Sequence, residues 1–257
     1  MRPVLGLIPA AGRALRLGPL PCSKELLPVG FRTTPAGPVP KVACHFLLER
    51  FAAAGIDRAL IVLHESKWDV ARYLTTGEMA GVHLAYVVIP GSASVPETLS
   101  YAAPWVAETT VALGFPDVLF EPPDAYARLL ERQAASGADL VLGLFPADKP
   151  STTDMVELGD DGRVRGIEIR PRETRLRFNW LLAVWTPVFT RFLQDAVAQT
   201  PPGTGELQIG AVVQAAVEAG LSVEGVPFPE GSYRDLGTPE ELAAAWRATS
   251  RATEARQ

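Results

Sequence analysis

The 257-residue sequence is short of several things, and each shortage excludes a class of protein. Its two cysteines, Cys22 and Cys44, are not in C-x-x-C spacing, so neither a disulfide framework nor a zinc knuckle is expected. No apolar run approaches ~20 residues, which excludes a membrane-spanning helix. Residues 4–8 enter a strand so early that no signal peptide is expected, and the protein is read as cytoplasmic. Positive charge is not in excess: a net charge of −5 leaves no electrostatic footprint for nucleic acid. The three histidines, His45, His64 and His83, are scattered, and no G-x-S-x-G context accompanies them, so a Ser-His-Asp hydrolase is not indicated. Glycines at 6, 12 and 18 make neither G-x-G-x-x-G nor G-x-x-x-x-G-K-[ST], which sets aside the dinucleotide and P-loop readings. Only four of the 24 basic residues are lysines: Lys24, Lys41, Lys67 and Lys149.

What is present points to an α/β protein. The length suits one large domain over residues 1–257, with a tail from about 247 that is helical or frayed. Apolar residues 4–8 read as a buried strand that stops at Pro9. A loop of small residues follows, Ala10-Ala11-Gly12-Arg13-Ala14-Leu15-Arg16, then Gly18, Pro19, Pro21 and Lys24. Small residues let backbone N–H groups approach an anion, while Arg13, Arg16 and Lys24 add fixed positive charge. Ligands of parallel sheets bind beyond the carboxyl ends of strands, so a polyphosphate is expected here.

Further along, residues 31–43 read as turn-rich, and a helix begins near Val42. Ser66-Lys67-Trp68-Asp69 has the pattern of a capping box opening a helix to about Thr75. Ser94, Pro96 and Glu97 mark another helix start, where Glu97 is either a cap or a ligand contact. Asp117 follows a buried strand at residues 109–113, a setting in which hard carboxylate oxygens can hold Mg²⁺ against a phosphate. Residues 154–171 read as a hairpin around Gly159-Asp160-Asp161-Gly162. Near the end, Thr238, Pro239 and Glu241 form a capping box for which Asp235 is not needed.

This series of motifs resembles the sugar-1-phosphate nucleotidyltransferases of the uridylyl- and thymidylyltransferase type. Residues 8–30 follow that family's AAGxGTRxxP loop and PKxLLPV segment, with Ala14 for the loop glycine and Leu15 for the threonine. The resemblance implies a Rossmann-like three-layer α/β/α sandwich with a mostly parallel mixed sheet and a small hairpin over the sugar. It implies catalytic roles for Arg16 and Lys24, and substrate contacts from Ala10, Ala11, Gly12 and Arg13. Asp117 in FPDV and Asp235 in DLGTPE fall on the family's two metal aspartates. Glu97 lies beside the base-recognition loop, whose usual glycine and glutamine are missing. Arg170 replaces the lysine of a Lys-Pro pair, Asn179 matches an asparagine-bearing strand, and Glu206 matches the glutamate of GELEITD. At the sugar, Asp154 stands where a glycine is usual and Ile169 where a glutamate is. The implied reaction joins a nucleoside triphosphate, UTP or dTTP, to a sugar 1-phosphate with Mg²⁺, releasing pyrophosphate. Relatives often form oligomers. The departures leave a second reading open, a homologue that binds a nucleotide or nucleotide-sugar without turnover.

Overall fold

The computed structural model describes residues 2–201 and 205–254, the stretch 248–254 as helical backbone only. Nine strands form one sheet: β1 (Val4–Ala10), β4 (Arg58–His64), β5 (His83–Ile89), β6 (Thr110–Leu113), β8 (Leu140–Pro146), β9 (Asp154–Leu158), β10 (Val164–Ile169), β11 (Phe178–Trp185) and β12 (Val223–Pro227). Two smaller antiparallel pairs flank it, β2 (Pro28–Thr34) with β3 (Gly37–Val42), and β7 (Val118–Glu121) with β13 (Ser232–Asp235). The helices are α1 (Ala43–Ala53), α2 (Trp68–Leu74), α3 (Val95–Ser100), α4 (Ala103–Val106), α5 (Ala125–Ser136), α6 (Pro187–Gln199), α7 (Ile209–Glu218) and α8 (Pro239–Glu254).

Strands β4, β1 and β6 run parallel side by side, with β5 parallel beyond β4. Strand β11 lies antiparallel to both β6 and β8, and β12 runs parallel to β8. The sheet is therefore mixed but mostly parallel. Successive residues of each strand serve opposite faces. Ile8 and Ile61 pack under α1, α2 and α5, whereas Leu7, Leu60 and Val62 pack under α3, α4, α6 and α7. A sheet covered on both faces explains why its strands read as unbroken apolar runs, such as the fully buried stretch 140–145. A third cluster, with Leu27, Val29, Leu236 and Leu242, fastens the β2–β3 pair to α8.

Two expectations about local structure change. Strand β1 runs through Pro9 to Ala10. The Leu7 carbonyl accepts the Gly114 N–H, so the odd positions of β1 face β6. β6 ends opposite Leu7, leaving no ladder bond for Pro9 to lose. The segment read as turn-rich is the β2–β3 hairpin. Pro38 and Pro40 alternate along β3, so their missing N–H groups share one side, the unpaired edge.

The division of the sheet positions the site. The C-terminal half of β11 pairs with β6, and its first two residues, Phe178 and Asn179, pair with β9 on the same edge. Where β6 stops, the sheet forks, and the β9–β10 hairpin stands across the gap from the carboxyl end of β1.

Buried His45 on α1 yields a pH prediction. Its Nε2 lies 3.1 Å from Met79 Sδ, and its Nδ1 has no partner among the described residues. Burial, reinforced by the nearby Arg32 and Lys41 charges, pulls its pKa from 6.5 to about 4. Between those values the unfolded chain binds a proton that the folded chain refuses, so stability is full above about 6.5 and falls as pH drops towards 4. The loss should reach up to about 3 kcal/mol, read as a lower urea midpoint at pH 4.5 than at pH 7. His45→Leu should flatten that difference.

Candidate active site

A cavity of about 390 Å³ opens in the fork of the sheet. One wall is the carboxyl end of β1 and its loop, with Ala10, Ala11, Gly12 and Arg16. Ser92, Ser94 and Thr98 border that end, Asp117 and Asp235 lie with Lys24 along it, and Asp154, Arg170, Trp180 and Glu206 form the far end.

The β1 loop keeps its turn without the expected glycine. Ala14 takes a left-handed conformation (φ 53°, ψ 34°), which costs an L-residue about 1–2 kcal/mol. That turn opens a short 3₁₀ segment, Leu15–Leu17, leaving Leu15 82% exposed. A Cβ on Gly237 would come 2.7 Å from Arg16 Nη2, so the absence of a side chain there lets the guanidinium sit against the β13–α8 turn. Arg13 points away: it lines a separate cavity behind the loop, with His64 and Lys67.

Asp117 and Asp235, 118 positions apart by number, meet because β13 pairs with β7. Asp235 lies opposite Val118, and the Leu236 N–H donates to the Asp117 carbonyl at 2.9 Å. Asp117 is only 8% exposed and ion-paired to Lys24 Nζ. Burial pushes the Asp117 carboxyl up, but the Lys24 charge and hydrogen bond outweigh it and hold it below its ordinary value. Lys24 is raised in return: burial opposes its charge, and Asp117 more than compensates. Asp235 shifts upward, first by burial and then by repulsion from Asp117, with Lys24 and Arg16 opposing. Its Oδ1 accepts the Gly237 N–H at 2.8 Å. Asp117 raises the proton affinity of Asp235 beside it, so positive charge placed between the two carboxylates would be favoured.

Their donor chemistry fits Mg²⁺. Both offer hard carboxylate oxygens, and no cluster of three or more His, Cys, Asp or Glu occurs among the described residues. Such a pair can hold the ion by two carboxylates, with phosphate and water oxygens completing its shell.

Besides Arg13, the structure separates two further expected contacts from the cavity. The Glu97 carboxylate accepts the Ala93 N–H at 2.6 Å while the Glu97 N–H donates to Ser94 Oγ at 3.2 Å, so it caps α3. Asn179 is fully buried beneath the cavity wall, and its Nδ2 donates to Tyr233 Oη at 3.0 Å. It steadies the strand that carries Asp235, while the neighbouring Trp180 takes the cavity side. The capping box expected at Ser66–Asp69 also has another use. Asp69 accepts from the N–H and hydroxyl of Ser23, both at 2.7 Å, tying the segment before Lys24 to α2. Ser66 bonds His64 instead.

Two contributors escaped the sequence reading. Glu25, fully buried at the cavity wall, accepts a hydrogen bond from buried Lys67 at 2.7 Å, and its other oxygen has no partner among the described residues. Burial raises the Glu25 carboxyl despite the Lys67 charge. The available signal was the scarcity of lysine, which made each of the four conspicuous.

Comparisons with known proteins agree with this architecture. The nucleotidyl transferase family profile matches residues 5–252. Glucose-1-phosphate thymidylyltransferases from Streptomyces antibioticus and Streptomyces griseus are 25% and 26% identical to the chain, over 92% and 97% of its length. The chain spans 63% and 67% of those two relatives. A glucose-1-phosphate thymidylyltransferase from Mycolicibacterium smegmatis is 27% identical over 93% of the chain and 80% of its own length. A Bacillus anthracis protein crystallised with sucrose has the same fold: TM-score 0.82 at 19% identity, covering 96% of this chain and 95% of that one.

Proposed function

This chain belongs to the nucleotidyl transferase family, and from that premise we propose that it joins a nucleoside triphosphate to a sugar 1-phosphate, forming a nucleotide-sugar and pyrophosphate. The nucleotide is dTTP or UTP, in keeping with the thymidylyltransferase relatives. One observation carries the reading: Arg16, Lys24, Asp117 and Asp235, from three distant parts of the sequence, line the same cavity as the small-residue loop.

In the reaction, an acceptor phosphate oxygen attacks the α-phosphorus. A new P–O bond forms as the bond to the β-phosphate oxygen breaks, and pyrophosphate departs with that electron pair. This chemistry needs positioning and charge neutralisation more than covalent help. Backbone N–H groups of residues 10–12 cradle the triphosphate, and Arg16 and Lys24 offset the charge that builds on the leaving group. Arg170 grips the acceptor phosphate with its planar fork. Mg²⁺ would be held by Asp117 and Asp235, supplying further charge neutralisation at the phosphates. No general base is required, because a phosphate monoester is already largely ionised at neutral pH.

The test is pyrophosphate release from UTP, dTTP, CTP, ATP and GTP against a panel of sugar 1-phosphates with Mg²⁺. Release with dTTP or UTP is the expected result. Nucleotide binding without release from any pair would replace this reading with that of a non-catalytic binder.

A further inference from the structure

The acceptor end of the cavity carries a carboxylate with an unusual mounting. Asp154 opens β9 and lies directly across the ladder from Ile169, the last residue of β10. Ile169 is 39% exposed and offers no polar atom, so the hairpin's polar contribution to this end comes from Asp154 and Arg170. Gly210, in the first turn of α7, lies against the Asp154 carboxylate, and its N–H favours the charged form. Asp154 Oδ1 is buried and has no partner among the described residues. Room for the carboxylate depends on Gly210 lacking a side chain, since a Cβ there would sit 2.6 Å from Asp154 Cγ. Helix α7 also holds the other strand of the hairpin, where Gln214 Oε1 accepts the Ile167 N–H at 2.6 Å. The carboxylate therefore stands on a fixed support.

Charge at this end is unbalanced. Among the described residues, Asp154 and Glu206 line the cavity with Arg170, and the remaining lining cations, Arg16 and Lys24, belong to the β1 loop and the segment after it. Once Arg170 turns to the acceptor's phosphate, two carboxylates remain beside the ring. A hydroxyl would give Asp154 a hydrogen bond charged on the acceptor side only, whereas an ammonium group charges both partners and adds direct Coulomb attraction in a partly buried site. A ring carboxylate would be repelled.

We propose that Asp154 is a specificity residue for the acceptor, taking an ammonium group on the sugar ring, so that the site prefers an aminohexose 1-phosphate to a neutral hexose 1-phosphate. This deepens the nucleotidyl-transfer reading above and rests on it for the identity of the acceptor. A competing explanation is that Asp154 only caps α7. Asp154→Asn separates the two, because the amide oxygen still lies against the Gly210 N–H while the negative charge is gone.

Calorimetry on the full chain with Mg²⁺ provides the test, using glucose 1-phosphate, glucuronate 1-phosphate and hexose 1-phosphates with a free amine at C2, C3, C4 or C6. The wild type should bind one amino acceptor about tenfold more tightly than glucose 1-phosphate, and glucuronate 1-phosphate most weakly. In Asp154→Asn that preference should shrink to within about threefold at an unchanged melting temperature. Gly210→Ala, which crowds the carboxylate off its mount, should shrink it likewise and guards against a folding defect in the first variant. Absence of the preference in the wild type, or its survival in Asp154→Asn, overturns the assignment. Pyrophosphate release measured alongside tells the two readings apart: preference without turnover removes nucleotidyl transfer alone, and turnover without preference removes the role of Asp154 alone.

Discussion

Asp117→Asn should cut pyrophosphate release by about 10²–10³-fold, the usual cost of removing a preorganised charge from a water-poor site. The carboxylate does two things that the amide cannot. It offers a charged oxygen to a divalent ion beside Asp235, and it neutralises Lys24, which is otherwise left partly buried without its anion. The variant should therefore also melt at a lower temperature than the wild type. Asp235→Asn is the informative partner. Asp235 lies at the exposed edge of the pair and is relieved of repulsion from Asp117 when its charge is removed. It should lose turnover to a similar degree while keeping or slightly raising the melting temperature. Turnover that survives both substitutions would mean that these carboxylates hold no ion used in the reaction.

The second large effect concerns stability. Lys67→Met removes the cation from a pair whose side chains are 9% and 1% exposed, leaving Glu25 with a buried charge and no ion-pair partner in contact. Breaking a buried pair from one side costs about 3–5 kcal/mol, which for a chain of this size lowers the melting temperature by about 10 °C. Without Lys67, the burial that already raises the Glu25 carboxyl is opposed only by a backbone hydrogen bond and the more distant Lys24 charge, and the group takes up a proton on folding. A folded-state pKa above the unfolded one makes the protein more stable at lower pH, so the loss should be smaller at pH 5 than at pH 8. The double variant Glu25→Gln/Lys67→Met should recover most of the loss, because the uncompensated charge is gone. Thermal melts of the wild type and the two variants at both pH values decide this. An equal loss at both pH values would show that Lys67 acts through packing and not as a counterion.

The uneven reach of the sequence reading has a consistent cause. The hairpin around 159–162 and the start of α8 were legible because each is specified by residues within a few positions: alternating strands about a turn, and Thr238 accepting the Glu241 N–H at 3.3 Å. The same pattern misled at Ser66–Asp69, where the residue types of a capping box are present but Asp69 bonds Ser23, 46 positions away. Pro9 misled in the opposite sense. A proline reads as a strand stop, yet it is harmless when the neighbouring strand has already ended, and only the register of β6 reveals that.

The small-residue loop, its cations, the acidic residues past two strands and the apolar runs of a doubly covered sheet are consequences of local order, and the amino-acid sequence alone determined them. Folding decided which charges meet. Pairing of β13 with β7 sets Asp235 beside Asp117, Lys67 reaches Glu25 across 42 positions, and Asn179 turns into the core while Trp180 takes the cavity wall. Side-chain periodicity is a near-neighbour property of the chain, but the meaning of a charge depends on what desolvates it and what counters it, and distant segments supply both.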